Sequence, residues 1–270
     1  MSSLDFTGKT VLITGGTRGI GLETGLAFGQ RGARCILTYR WGEHEEHAIL
    51  AQFAERGAPP PLVVQADVAN QEDTLALMQL LKQEVPKVDV FINNVSVSMR
   101  IHSFEDYSLK GLKQSISYSS WPLVGYTLQL KETFGQYPKY VMAVSSTGPD
   151  HYSFGYDYVA ASKTVLEILC RYLNYRLRGE GVVINAVRSR AIKTRTFAET
   201  FGEELAPFVQ KFVPDNYWIQ PEELAGALVA LCSGYCDGVS GQILNVDRGT
   251  SFFDNFMDLY TRHQRGQLKL

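Results

Sequence analysis

Tyr156, Tyr158 and Lys163 stand together in "FGYDYVAASK" (154–163). A phenol is a weak acid that can hydrogen-bond an oxygen gaining charge, and an ammonium is a nearby cation. One of these tyrosines paired with the lysine would make a proton-donating centre for an oxygen that gains charge. Spacing decides which tyrosine. A helix turns about 100° per residue, so residues four or seven apart return to one face, whereas five residues leave a pair about 140° apart. Four residues before Lys163 stands Val159; Tyr158 is five away and Tyr156 seven. A helix over this stretch gives Tyr156 the lysine's face and turns Tyr158 aside.

A second chemical signal is "TGGTRGIG" (14–21), placed between an apolar strand and a helix. Gly15, Gly19 and Gly21 form G-x-x-x-G-x-G, with Thr17, Arg18 and Ile20 between them. Glycines permit a sharp turn and let a pyrophosphate approach the helix N-terminus, where free N–H groups favour an anion. The second strand ends in "LTYR", with Arg40 and no carboxylate. A carboxylate there would bind the ribose 2′-hydroxyl of a dinucleotide, whereas arginine accommodates a 2′-phosphate. Arg18 and Arg40 together point to NADPH.

Both signals need a scaffold. Short apolar runs at 10–15, 34–39, 61–67, 88–94, 139–146, 181–187 and 242–247 read as strands buried on both faces. Amphipathic stretches such as "EDTLALMQLLKQEV" fall between them, and Gly32 and Gly179 are expected at helix ends. This alternation predicts a doubly wound, Rossmann-type parallel sheet of about seven strands with helices on both faces, in one domain over residues 1–270. Two stretches break the rhythm. Residues 194–220 form a long aromatic-rich insert after the sixth strand, expected to cover a substrate, and 250–270 form an aromatic C-terminal tail.

Composition narrows the setting. The 270 residues are 45% hydrophobic and 20% charged with a formal net charge of −2, which gives no long-range attraction to nucleic acid or membrane. No apolar run approaches a membrane span, and "MSSLDFTGKTVLITGG" does not read as a signal peptide. Cys35, Cys170, Cys232 and Cys236 are scattered, which suits a reducing cytoplasm. His44 and His47 have no evident third partner, so no metal site is expected.

The chain resembles the short-chain dehydrogenase/reductase family over nearly its whole length. "ADV" resembles the adenine-contacting segment, which implies that role for Asp67 and Val68, and "INNVS" resembles the family's Asn-Asn-Ala-Gly, giving Asn93 and Asn94, of which Asn93 is expected at the cofactor. "VSSTG" resembles the catalytic serine segment and offers Ser145, separated by two residues from Gly148. "NAVRSRAIKT" is similar to the segment after the sixth strand, with Ile192 and Thr194 at the carboxamide and pyrophosphate, and "LNVDRG" resembles Val-Asp-Gly-Gly. Most of the family carries Tyr-x3-Lys. The Tyr-x6-Lys pattern of Tyr156 and Lys163 resembles the enoyl-acyl carrier protein reductase branch, as does "SISYSSW" (115–121), where Ser115 replaces the usual asparagine.

The resemblance implies delivery of the 4-pro-S hydride of NADPH to the β-carbon of an α,β-unsaturated thioester, small or bound to an acyl carrier. Tyr156 would hydrogen-bond the enolate oxygen, and Lys163 would bond the nicotinamide ribose and lower the tyrosine pKa. Ser146 stands where many enoyl reductases have a further tyrosine, for which Tyr152 is a candidate substitute. Arg188 and Arg190 replace the family's Ser/Pro-Gly and are candidates to meet a carboxylate or phosphate of the substrate. On the same residues a ketoreductase is the alternative, with Tyr156 as acid and Ser145 polarising the carbonyl. A cofactor-binding protein without redox turnover is a further one. The altered loop residues hint at specialised or polyketide metabolism, and the family implies a homo-oligomer, tetramer or dimer.

Overall fold

In the computed structural model, which describes residues 4–41, 46–190, 192–213, 217–252 and 255–267, seven short strands form one sheet. They are β1 (Thr10–Ile13), β2 (Arg34–Tyr39), β3 (Leu62–Gln65), β4 (Val90–Asn93), β5 (Tyr140–Ser146), β6 (Val183–Ser189) and β7 (Ile243–Asn245). All pair in parallel, in the order β3-β2-β1-β4-β5-β6-β7.

Alternation along β1 explains why the strands read as continuous apolar runs. Val11 and Ile13 enter one core, and Leu12 enters the other. The first core is closed by α1 (Gly19–Gly29), α2 (Glu46–Glu55) and α9 (Pro221–Leu231), through residues such as Phe28, Phe53 and Leu228. The second is closed by α3 (Gln71–Glu84), α5 (Trp121–Phe134) and α6 (Asp157–Arg176), through Leu81, Leu123 and Leu166. A side chain from either face of a strand is therefore removed from water, worth about 1.5–3 kcal/mol for a buried Leu or Ile.

The strand order reverses between β1 and β4, and the crevice beyond their carboxyl ends is where open α/β sheets bind ligands. The segments carrying the chemical signals open there. The glycine turn follows β1, the serines end β5, and α4 (Leu109–Ser119) and α6 pack against each other beside it.

One helix end differs from expectation. Gly32 takes a left-handed φ of 84°, as a stop requires, but after α6 it is Gly181 that does so, at 70°, while Gly179 lies inside a tight turn over Arg178–Glu180. The insert forms α7 (Arg195–Phe201) and α8 (Leu205–Gln210), and its base is closed by a parallel bridge between Ile192 and Ile219. The tail carries α10 (Asn255–Gln264). His44, residues 214–216 of the insert and residues 253, 254 and 268–270 of the tail lie outside the described residues. Among the described residues, no His, Cys, Asp and Glu side chains cluster as a metal site, and no helix is long and apolar enough to cross a membrane.

Candidate active site

The glycine turn is held by main chain. Gly15 has φ of 64°, a left-handed conformation that favours glycine, and a Cβ there would sit 3.0 Å from Val95. A Cβ at Gly21 would collide with the Gly15 carbonyl oxygen. Asn94 fastens the turn: its side-chain amide donates to the carbonyls of Thr14 and Gly15, both at 3.0 Å. Gly15, Thr17, Arg18, Gly19 and Ile20 line one cleft of about 350 Å³, and Gly21 backs them. Thr194 comes over the turn from the other side, its methyl 3.8 Å from where a Gly19 Cβ would stand.

Asn93 corrects an expectation. Successive strand residues face opposite ways, so as the last residue of β4 it turns from the cleft and donates to the Ser119 carbonyl at 3.3 Å. Its neighbour Asn94 lines the cleft instead.

Arg40 lines the cleft at the end of β2. Its guanidinium lies 3.5 Å from the Trp41 ring centroid and 4.7 Å from that of Tyr118, and its Nε is 2.6 Å from the Asp67 carboxylate. The Tyr118 hydroxyl donates to the same carboxylate at 3.1 Å. Arg40 Nη1 is buried without a hydrogen-bond partner, as are Thr38 Oγ1 and Ser189 Oγ, all on residues of the cleft wall. Buried polar groups are normally satisfied, so this wall is built for a polar ligand. Asp67, Val68 and Ile192 line it too. Arg18 lies 3.6 Å from Glu199 of α7, tying the glycine turn to the insert.

Tyr156 immediately precedes α6 and Lys163 lies two turns on; both line the cleft. Tyr158 does not. It is buried, and its hydroxyl is bonded to the backbone N–H and carbonyl of Ser108. Ser115, on α4, donates to the Tyr158 carbonyl at 2.9 Å and so fixes the start of α6. Lys163 donates to the Val144 carbonyl at 2.7 Å. Burial pushes its pKa down to about 8, against the opposing charge of Glu167. Burial raises the Tyr156 pKa, and the Ser146 hydroxyl partly offsets the rise. The expected lowering by the lysine is overturned: the phenol is kept protonated.

Ser145 and Arg188 also depart from expectation, for one shared reason. Strand pairing sets them side by side, and both turn toward Glu167 of α6. The Ser145 hydroxyl donates to Glu167 at 2.6 Å, and Arg188 grips the carboxylate through Nε at 2.6 Å and Nη2 at 2.5 Å. Arg188 Nη1 pairs with Asp150. Arg188 therefore faces the interior rather than a substrate, and the Ser145 hydroxyl is committed although its residue borders the cleft. Ser146 is the serine beside the phenol. Arg190 does line the cleft, held by the Thr250 carbonyl at 2.6 Å. Tyr152 is 84% exposed in a shallow hollow on the far side of Tyr156, outside the main cleft.

The insert covers Tyr156. Phe201 of α7 stacks on Tyr156 with ring centroids 5.6 Å apart, and Phe197 packs on Phe201 at 5.0 Å and on Trp218 at 5.5 Å.

A family model described as Enoyl-(Acyl carrier protein) reductase matches residues 15–251. The chain belongs to that family, within the short-chain dehydrogenases/reductases. It is an oxidoreductase. The chain is 27% identical to 3beta-hydroxysteroid dehydrogenase 1 of Eggerthella lenta, over 93% of this chain and 97% of that one. It is 26% identical to the NADH-dependent enoyl-[acyl-carrier-protein] reductase of Aquifex aeolicus, over 90% and 91%. It is also 26% identical to the 3-oxoacyl-[acyl-carrier-protein] reductase of a Synechocystis species, over 92% and 98%. A 7 alpha-hydroxysteroid dehydrogenase complexed with NADH and 7-oxo glycochenodeoxycholic acid shares the fold, with a TM-score of 0.80 at 22% identity over 91% of this chain and 95% of that one.

For a short-chain dehydrogenase/reductase, this one hides several of its parts from sequence reading. Trp41 and Tyr118 around Arg40, Phe197 and Phe201 over Tyr156, and Glu167 under Ser145 were not among the expected site residues. Glu167 had a signal: it stands four residues after Lys163, on the same helix face. Phe197 and Phe201 lie in the aromatic-rich insert expected to cover a substrate, though nothing singled them out within it, and Trp41 had no signal, because a surface aromatic is common.

Proposed function

We propose that the protein is a cytoplasmic, homo-oligomeric, NADPH-dependent reductase of α,β-unsaturated thioesters. The observation that carries the reading is the placement of Tyr156 and Lys163 in one cleft at Tyr-x6-Lys spacing, with Tyr158 tied to Ser108. Bound NADPH would supply the hydride to the β-carbon. The residues suit that cofactor: the glycine turn would receive the pyrophosphate, the unpartnered Nη1 of Arg40 a 2′-phosphate, and Lys163 the nicotinamide ribose.

Tyr156 then hydrogen-bonds the thioester oxygen as charge moves onto it. Its raised pKa keeps the proton on Oη, as such a donor requires, and one well-placed donor is typically worth about 3–4 kcal/mol of barrier. Phe201 and Phe197 shield the phenol from water. Exposed Ile168, Tyr172 and Tyr175 form an apolar stripe on α6 that favours association with a second copy.

Reduction of a β-ketoacyl thioester is the second reading, motivated by the 3-oxoacyl relative. It needs a donor to the ketone beside Tyr156. Commitment of Ser145 to Glu167 removes the expected one, which weighs toward the enoyl substrate. NADPH oxidation with crotonyl and acetoacetyl thioesters, by wild type and Tyr156→Phe, tests the choice. We expect consumption of the crotonyl substrate, slowed about 10²–10³-fold in the variant; consumption of the acetoacetyl substrate alone would overturn the reading.

A further inference from the structure

Glu167 is 5% exposed, and its carboxylate accepts three hydrogen bonds from two side chains. Oε1 accepts from Ser145 and Arg188 Nε, and Oε2 accepts from Arg188 Nη2. Arg188 passes the connection to Asp150 at the surface. A buried charged network of this kind is a weak source of stability, because the desolvation cost of the ions offsets their attraction. Its position suggests another use.

Lys163 lies one helical turn before Glu167, also buried, with its ammonium bonded to the Val144 carbonyl. A buried ammonium without an anion tends to lose its proton. The buried residues that α4 and α5 bring against α6 include the phenols of Tyr118 and Tyr126 and no charged group. β5 brings Tyr140 and Ser145, β6 brings Arg188, and α6 itself adds Cys170, whose thiol is pushed up to about 12 and so stays neutral. Arg190, across the cleft, is another cation. Ser115, whose position in the family usually holds an asparagine, spends its hydroxyl on the Tyr158 carbonyl. Among these groups Glu167 is the carboxylate. Arg188 grips it at two points and so fixes where the carboxylate stands.

We propose that Glu167, fixed by Arg188 and Asp150, is a positioning residue that holds Lys163 in its ammonium form for cofactor binding and turnover. The proposal rests on the reductase reading above for its second part only, since cofactor binding is measured without substrate.

The test is NADPH affinity, followed by fluorescence quenching from pH 6 to 10, with kcat/KM for crotonyl thioester over the same range, in wild type, Glu167→Gln and Glu167→Asp. Wild type should lose affinity with a midpoint near pH 8, where burial places the lysine. Glu167→Gln should move that midpoint down by about one pH unit, the scale expected for loss of a neighbouring opposite charge, with affinity at pH 6 within about twofold of wild type. Glu167→Asp should move it back toward the wild-type value. A purely structural role would lower affinity equally at every pH and leave the midpoint in place, and that result would overturn the proposal.

Should Glu167→Gln fail to fold, Glu167→Gln with Arg188→Met removes both members of the buried pair. Loss of the arginine's positive charge offsets part of the effect, so a smaller downward shift of the midpoint is expected, and an unmoved or raised midpoint counts against the idea. If wild type binds NADPH but reduces no thioester, the reductase reading fails while the binding midpoints still decide the role of Glu167.

Discussion

The two sides of the cleft are built from different materials. On the β1–β4 side the wall is main chain: Gly21 abuts the Gly15 carbonyl, and Asn94 ties two backbone oxygens of the turn. On the β5–β6 side it is side chains brought from distant segments, with Phe201 on Tyr156 and Glu167 gripped by Arg188 beneath. A wall of backbone has no slack, so one added methyl displaces the whole turn. A wall of side chains can lose one member at a time, each loss touching a different step. The first arrangement suits a ligand part that never varies, the second a reaction that must be tuned.

That contrast can be broken experimentally, and the largest effect belongs to the side-chain wall. Tyr156→Phe should lower kcat/KM by about 10²–10³-fold, the scale of a lost oxyanion donor, while NADPH affinity stays within about twofold in fluorescence titration. An equal loss of binding would mean that the two walls do not act separately. Gly21→Ala should do the reverse. Its methyl has no room beside Gly15, and overpacking of about 1–3 kcal/mol should weaken NADPH binding by about 5- to 150-fold, read in the same titration.

Smaller effects sharpen the picture. Arg40→Gln should raise the NADPH dissociation constant by about tenfold and the NADH constant by less than about twofold, since only the former presents a phosphate to the guanidinium. Equal changes would remove Arg40 from cofactor choice. Tyr158→Phe removes the hydroxyl bonded to Ser108 and should cost about 1–2 kcal/mol. Calorimetry should then find a melting temperature lower by about 2–8 °C, with turnover near wild type; a large loss of turnover would restore Tyr158 to the reacting pair.

The fold was legible because strand and helix periods are local, and each apolar run such as "TVLITG" carries its own signal. The glycine turn was legible for a similar reason: backbone demands leave few residue choices at Gly15 and Gly21. The choice of Tyr156 over Tyr158 rested on helical spacing and the Tyr-x6-Lys resemblance; Tyr156 does line the cleft with Lys163, although it stands just before α6 rather than within it. Contacts between segments far apart in sequence could not be read this way. Arg188 reads as a substrate ligand until Glu167, twenty-one residues earlier, is found beneath it. Asn93 and Asn94 differ only in strand parity, which depends on where β4 ends. Ser145 and Ser146 pose the same problem at the end of β5, and there too the neighbour of the expected residue faces the phenol.

The bridge between Ile192 and Ile219 has a consequence for how this scaffold diversifies. The covering helices leave and rejoin the body at two points already fastened to each other, so the span between them is a closed loop hung from a clasp. Doubling the length of such a loop costs only about 0.6 kcal/mol in closure entropy. Exchanging that span between relatives would reshape what reaches Tyr156 while the sheet, the glycine turn and the buried ion network stayed as they are.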